Sequence, residues 1–280
     1  MKKRLIELLK KINCYHPLQW RYRQVVFFIH RSLSRLRYRK QRGYGLYCIF
    51  CHQQHQHFIA SHPLPQDAPA LQNHDVVAGY GADIICPYCF SNARERMVRL
   101  LVEEHCNPAG KKILHFSPEP VIFRWLSGIA TVTTADLHIG FYKHIDKKVE
   151  VQDITAMSYA DDSFDLVMAN HVLEHVPDDV CAMKEIFRVL KPGGDVVLQV
   201  PIGFSLSQIV EAPQIDDGAK QSALFGQCDH VRIYTLDGYL ERLRLAGFEV
   251  SYHFPGRESN GKGNGLQERE PFFRITKPRA

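Results

Sequence analysis

Residues 158–201 read SYADDSFDLVMANHVLEHVPDDVCAMKEIFRVLKPGGDVVLQVP, and the order of patterns inside this stretch decides the fold class. Residues 164–169 form a short apolar run of strand character, residues 179–191 have the composition and length of a helix, and residues 196–200 are a second apolar run. A strand, a helix and a strand in this order make a right-handed crossover between parallel neighbours.

Outside this unit the alternation continues. Residues 112–116, 131–135 and 149–152 read as strands, and residues 120–128 and 236–246 as helices. Residues 138–144 read as a short or imperfect helix. Two further strands, at 249–254 and 271–276, suggest a hairpin at the sheet edge, with the polar stretch 256–270 between them a flexible loop by composition. The expected fold is a doubly wound α/β domain with a mostly parallel sheet covered by helices on both faces. A chain of 280 residues with 45% hydrophobic side chains holds one such domain and a small appendage.

In an open parallel sheet, ligands lie beyond the carboxyl ends of the strands, so the residues that follow each strand are the candidates for chemistry. Strand one runs into His115, Ser117 and Glu119, strand two ends at Asp136, strand three at Asp153 and Ile154, and strand four at Asn170 and His171. Asp136 stands nineteen residues past Ser117, near the spacing at which an acid accepts from both ribose hydroxyls of an adenosine cofactor. Asp153 is placed to accept from an adenine amino group, with Ile154 packing on the ring. No GxGxxG follows the first strand, which argues against a nicotinamide dehydrogenase.

The stretch quoted above resembles the middle of a class I methyltransferase domain of the type 11 group, and its HVLEHV segment is similar to quinone-biosynthesis methyltransferases. The later DHVRIYTLDGYLERLRLAGFEV is similar to the final helix and sixth strand of that group. The resemblance covers residues 111–278. It implies a Rossmann-like sheet of seven strands with the last antiparallel, and S-adenosylmethionine as methyl donor. It also implies roles by position: Asp136 on the ribose, Asp153 and Ile154 on the adenine, Asn170 and His171 beside the methionyl part. One departure stands out. The family's acid and glycine-rich turn after strand one is replaced here by His115, Ser117, Glu119 and Val121, and Glu119 is the candidate to take over the methionyl amino group.

Methyl transfer depends chiefly on alignment and exclusion of water, so a strong base is optional. For a hydroxyl acceptor, His171 and His230 are the candidate catalytic bases. His230 and Arg232 are the candidate acceptor-binding side chains. The insert 201–229, after strand five, is expected to form a lid and much of the acceptor pocket.

Cys48-Ile49-Phe50-Cys51 and Cys86-Pro87-Tyr88-Cys89 are two CxxC knuckles, enough to close a tetrahedral site around one structural Zn2+. Iron fits the same ligands, and His52, His55 or His57 could replace a cysteine. The pair resembles a zinc ribbon, but the glycine usual after the second cysteine of each knuckle is replaced by His52 and Phe90.

Residues 1–40 hold twelve Lys and Arg against Glu7 alone, so the arm carries about +11 and the remainder about −6. Amphipathic helices are expected over 2–12 and 18–40. Their first expectation is packing on the body of the protein or on a partner, while the arm's charge suits RNA or an anionic membrane surface equally. With no apolar run long enough to span a bilayer and no secretory signal pattern, a cytoplasmic location is the expectation, peripheral membrane contact through the arm being an alternative. The chain divides into a basic arm (1–43), a metal module with a connecting helix (44–107) and a methyltransferase domain (108–280). The expected acceptor is a small or saccharide-type molecule. The competing readings are an RNA methyltransferase that grips phosphates with arm and module, and a scaffold that has lost its cofactor.

Overall fold

The computed structural model describes residues 29–279. The expected helix over 2–12 and the first part of that over 18–40 lie outside the described residues, and residues 29–37 are helical. No helix among the described residues is long and apolar enough to cross a membrane.

The sheet is built from seven strands: β1 (Lys112–Phe116), β2 (Thr131–Asp136), β3 (Glu150–Val151), β4 (Phe164–Met168), β5 (Leu190–Val197), β6 (Glu249–His253) and β7 (Phe272–Thr276). Their spatial order is β6-β7-β5-β4-β1-β2-β3. The pairs β1–β2, β2–β3, β1–β4 and β4–β5 are parallel. Strand β7 runs antiparallel between β5 and β6, so the closing hairpin is inserted into the sheet and β6 forms the edge.

Helices α1 (Ala93–His105), α2 (Pro120–Leu126), α3 (Asp179–Val189), α4 (Gly218–Phe225) and α5 (Leu236–Leu245) follow in chain order. The alternation of side chains along a strand explains the two layers. Leu114 and Phe116 of β1 pack with Ala182, Met183 and Ile186 of α3 and with Leu240 and Leu243 of α5. Ile113, one residue out of phase, packs with Val98, Leu101 and Val102 of α1 and with Ile122 and Leu126 of α2. Both faces are thus dry, and each of the larger apolar side chains contributes about 1.5–3 kcal/mol through burial. Helix α1 starts at a reciprocal capping box, Asn92 Oδ1 accepting from Glu95 N and Glu95 Oε2 from Asn92 N, both at 2.8 Å.

Three expected boundaries move. Helix α3 stops at Val189 and β5 begins at Leu190, because Leu190 already pairs with Phe164 before a register shift brings Asp195 beside Leu166. The two glycines of LKPGG therefore lie within the strand and supply its irregularity. Strand β3 shrinks to two residues, and the expected helix at 138–144 is a 3-10 turn at Ile139–Phe141.

The stretch expected to be a flexible loop after β6 is instead folded into a 3-10 turn at Pro255–Arg257 and a helical turn at Ser259–Gly263. Its glycines permit close backbone contact rather than freedom: a Cβ on Gly261 would lie 1.8 Å from Pro255 O. Gly261→Ala is accordingly expected to cost about 1–3 kcal/mol in a urea denaturation curve. An unchanged midpoint would show that this turn is not packed as described.

Residues 42–91 carry two small antiparallel pairs, Arg42–Cys48 with Gln53–His55 and Ile59–Ser61 with Gly81–Ile85, plus a short helix at Ala68–Asn73. This unit is joined to the insert after β5 by the pairing of Val76–Val77 with Ile202–Gly203. The insert is itself tied down, Val210–Glu211 pairing with Arg232–Ile233.

Candidate active site

Beyond the carboxyl ends of β1 to β4 lies a cleft of about 690 Å³, lined among others by Ser117, Asp136, Asp153, Ile154 and His171. Four strand ends predicted independently of one another therefore meet at one place. Ser117 holds the sharp turn after β1 in the left-handed region, at φ +46°, where the family's glycine is replaced. Its hydroxyl donates to Asp136 Oδ2 at 2.6 Å, while Asp136 Oδ1 accepts from His138 N at 2.6 Å. Across the cleft, Asp153 Oδ1 accepts from Thr155 N and Oγ1 at 2.8 and 2.7 Å, bonds that hold its carboxyl below the usual range. Ile154 beside it is buried.

Tyr142 and Phe141 complete this wall and escaped the sequence reading. Their only signal was the weak helical pattern at 138–144. Burial raises the Tyr142 phenol above its ordinary value, against a hydrogen bond with Ser117.

Glu119 and Asn170 are not among the cleft's lining residues. They bond to each other, Asn170 Nδ2 donating to Glu119 Oε1 at 3.0 Å. Glu119 Oε2 also lies 2.5 Å from Nε2 of the fully buried His115, and Asn170 Oδ1 accepts from Gln199 N at 3.3 Å. Burial works to raise the Glu119 carboxyl, but the bond and charge of His115 and the bond from Asn170 outweigh it and hold it lowered. The residue after β1 thus places a carboxylate brace between the ends of β1 and β4, where the methyltransferases that the sequence resembles have glycine.

A second cavity of about 330 Å³ shares His171 and His175 with the cleft. Its other walls come from far apart in sequence: Gly79, Tyr80 and Ile84 of the cysteine-bearing unit, Asn92 and Arg94 at the start of α1, and Pro201, Gln227 and His230 from the insert and its end. His171, at φ +55°, sets its Nδ1 2.8 Å from Oε1 of Glu174. Glu174 is fully buried. Burial works to raise its carboxyl, yet the charges of His171, His230 and His175 and the His171 hydrogen bond hold it at about 2. Burial pushes the His230 imidazole down to about 4.

Of the two expected acceptor-binding side chains, His230 lines this cavity and Arg232 does not. The Arg232 guanidinium is buried and turned to the turn before α3, donating to the carbonyls of Leu173, Val176 and Pro177 and to Glu211. Its donors are engaged in holding the chain at 173–177, which corrects its assignment to the acceptor.

The four knuckle cysteines converge, their sulfur atoms all within 4.8 Å of one another. Cys48 Sγ lies 3.5 Å from Cys89 Sγ, and Cys51 Sγ 3.7 Å from Cys86 Sγ. Four thiolates about 2.3 Å from one tetrahedral ion would stand about 3.8 Å apart, so these two pairs have the spacing that a tetrathiolate metal site requires. Ser91 Oγ, 3.2 Å from Cys48 Sγ and from Cys89 Sγ, supports the pair from outside. His52 and Phe90 occupy the left-handed region at φ +56° and +68°, and their amides close each knuckle on Cys48 O and Cys86 O at 2.8 and 2.9 Å. The missing glycines therefore leave the turns intact. None of the nearby histidines joins the cluster: His52 contacts the Tyr47 hydroxyl, His57 faces Asp83, and His55 is buried against Phe58.

Residues 121–198 match the family model of a methyltransferase domain, the type 11 group. Over 112 residues the chain is 30% identical to 2-methyl-6-phytyl-1,4-hydroquinone methyltransferase of Synechocystis sp., a match covering 37% of this chain and 32% of that protein. It is 33% identical over 110 residues to ubiquinone biosynthesis O-methyltransferase of Pseudomonas fluorescens, covering 34% and 46%. It is 51% identical over 41 residues to demethylmenaquinone methyltransferase of Bacillus velezensis, covering 15% and 18%. The matched stretches thus span less than half the length of each of these relatives. Among solved structures, an S-adenosylmethionine-dependent methyltransferase of Mesorhizobium loti aligns over 60% of this chain and 90% of that chain, with a TM-score of 0.43 and 17% identity.

Proposed function

Because residues 121–198 carry a methyltransferase domain of the type 11 group, we propose that the chain transfers a methyl group from S-adenosylmethionine to a small hydroxylated ring compound. The observation that carries this reading is the meeting of Ser117, Asp136, Asp153, Ile154 and His171 on one cleft of about 690 Å³, within the range of small-molecule sites. S-adenosylmethionine bound there supplies a methyl group on a sulfonium whose positive charge is lost as the methyl leaves.

In this reading Asp136 accepts from the ribose hydroxyls, Ser117 fixing its carboxylate, and Asp153 accepts from the adenine amino group above Ile154. Glu119 and Asn170 act as a positioning pair that sets the turn after β1 against His171, rather than as direct contacts. The acceptor occupies the cavity of about 330 Å³ on the far side of His171 and His175, with His230 on its wall. That volume suits a compact head group. The quinone-pathway names of the relatives favour a hydroxylated ring over the saccharide expected from sequence. The four cysteines hold a structural zinc ion whose closed coordination keeps it out of the chemistry. It fixes the strand Gly81–Ile85, whose Ile84 and Ile85 line the second cavity.

Calorimetric titration with S-adenosylmethionine and S-adenosylhomocysteine tests the reading. Saturable binding of both is expected. Asp136→Asn keeps an acceptor for His138 N but removes the charge, and is expected to weaken both ligands by about 10- to 100-fold, as for the loss of charge-assisted hydrogen bonds. Absence of heat from either ligand, in folded protein with its metal in place, would favour the scaffold reading instead.

A further inference from the structure

The wall between the two cavities holds more ligating atoms than methyl transfer requires. Glu174, His175 and His230 each offer one ligand atom, and the three atoms lie within 4.8 Å of one another. Glu174 is fully buried and His230 is 7% exposed. Three buried polar atoms here have no hydrogen-bond partner: Glu174 Oε2, His230 Nδ1 and, on the adjoining ring, His171 Nε2. Leaving one such atom unpaired costs about 1–3 kcal/mol, more for a carboxylate, so Glu174 Oε2 and His230 Nδ1, which belong to one cluster of ligating residues, indicate an absent partner. Two imidazoles and a carboxylate form the ligand set that holds a first-row transition ion while leaving coordination positions open.

We propose that Glu174, His175 and His230 bind a divalent transition-metal ion, distinct from the tetrathiolate ion, whose open positions take oxygen atoms of the acceptor. Ligands on one such ion stand about 3–3.5 Å apart, so modest side-chain rotation closes the site. His175 Nδ1 donates to Asp229 O at 3.1 Å, which leaves the lone pair of its Nε2 for an ion. His171 bonds the other Glu174 oxygen and so orients the carboxylate from behind, the arrangement that usually supports a metal-ligating group. The ion would face the 330 Å³ cavity, which Glu174, His175 and His230 all line. Its part in receiving the acceptor rests on the methyl-transfer reading, whereas its binding does not.

The test uses the whole chain with zinc already in the cysteine site, verified by elemental analysis, titrated with Co2+ alone. One further ion per chain is expected, with weak ligand-field absorption and without thiolate-to-cobalt charge transfer. His230→Gln and His175→Asn should each lower that affinity at least about 10-fold. Thermal melting, with the zinc content of the cysteine site, serves as the control that each variant remains folded. No uptake beyond the cysteine ion overturns the proposal, as for a site that holds only a buried water. Cobalt that appears solely with charge-transfer absorption, or uptake untouched by both variants, overturns it equally. Protein that binds S-adenosylhomocysteine but no second ion refutes this site alone, and protein that takes the ion but not the nucleoside refutes the methyl-transfer reading alone.

Discussion

Cys86→Ser is expected to release the metal and disorder residues 42–91 while leaving the nucleoside cleft in place. Cys86 is fully buried at the centre of the thiolate cluster, and its backbone amide and carbonyl hold the second knuckle through Ser91 O and Phe90 N. A structural tetrahedral site contributes on the order of 10 kcal/mol or more, far beyond what a hydrophobic cluster of Cys48, Phe58 and Cys86 supplies by burial. The loss is therefore all or none for this unit. Because Gly79, Tyr80 and Ile84 wall the second cavity, acceptor binding should fail with it. Ser117, Asp136, Asp153 and His171 stand on the sheet, whose two core clusters take only the half-buried Phe50 from the cysteine unit, so affinity for S-adenosylhomocysteine should change less than about threefold. Zinc content, limited proteolysis and calorimetry on one preparation check all three points. A variant that keeps one zinc per chain and resists protease like the parent refutes the tetrathiolate assignment. Exposed Cys181 and Cys228 provide the comparison, since serine at either should leave zinc content unchanged.

The sheet was legible because its strands are apolar runs separated by polar turns, a local pattern. The ends of β1 to β4 were legible for the same reason, once parallel order was inferred, and the cysteine pairs stated their own geometry through spacing. What stayed hidden depended on long-range contact. Nothing in the sequence joins Tyr80 and Arg94 to His171 and His230, yet they share a cavity. Arg232 was a candidate ligand for the acceptor from its place beside His230 just before α5, whereas its buried guanidinium donates to the carbonyls at 173–177. The glycine-rich composition of 256–270 suggested freedom, whereas Gly261 is there for close approach to Pro255. Ser117, His52 and Phe90 stand where glycine was expected, and each adopts the left-handed backbone regardless. In those turns the surrounding hydrogen bonds dictate the conformation, so residue preference misled where tertiary structure decided.

Arg96→Met is expected to lower stability by about 3–5 kcal/mol and the melting temperature by about 10 °C, with zinc still bound. Arg96 is fully buried on α1 and pairs with carbonyl oxygens alone. Its Nε donates to Asn264 O at 2.9 Å, Nη1 to Ile84 O and Ser91 O at 3.1 and 2.9 Å, and Nη2 to Asp83 O and Gly265 O at 3.3 and 2.9 Å. One guanidinium thus ties the second knuckle and the strand before it to the turn before β7. Burial lowers its pKa, and the neighbouring Cys48, Cys86 and Cys89 oppose that shift in part. The Phe58 ring lies 4.4 Å beneath. Methionine fills the space but leaves these carbonyls without donors, each costing about 1–3 kcal/mol unless water reaches it. Lysine keeps the charge but cannot span this planar set of acceptors, so Arg96→Lys should recover less than half of the loss. Thermal melts of both variants, paired with zinc content, decide the matter: if methionine melts with the parent, the cysteine unit is held to the sheet by its strand pairing with Ile202–Gly203 and not by this side chain.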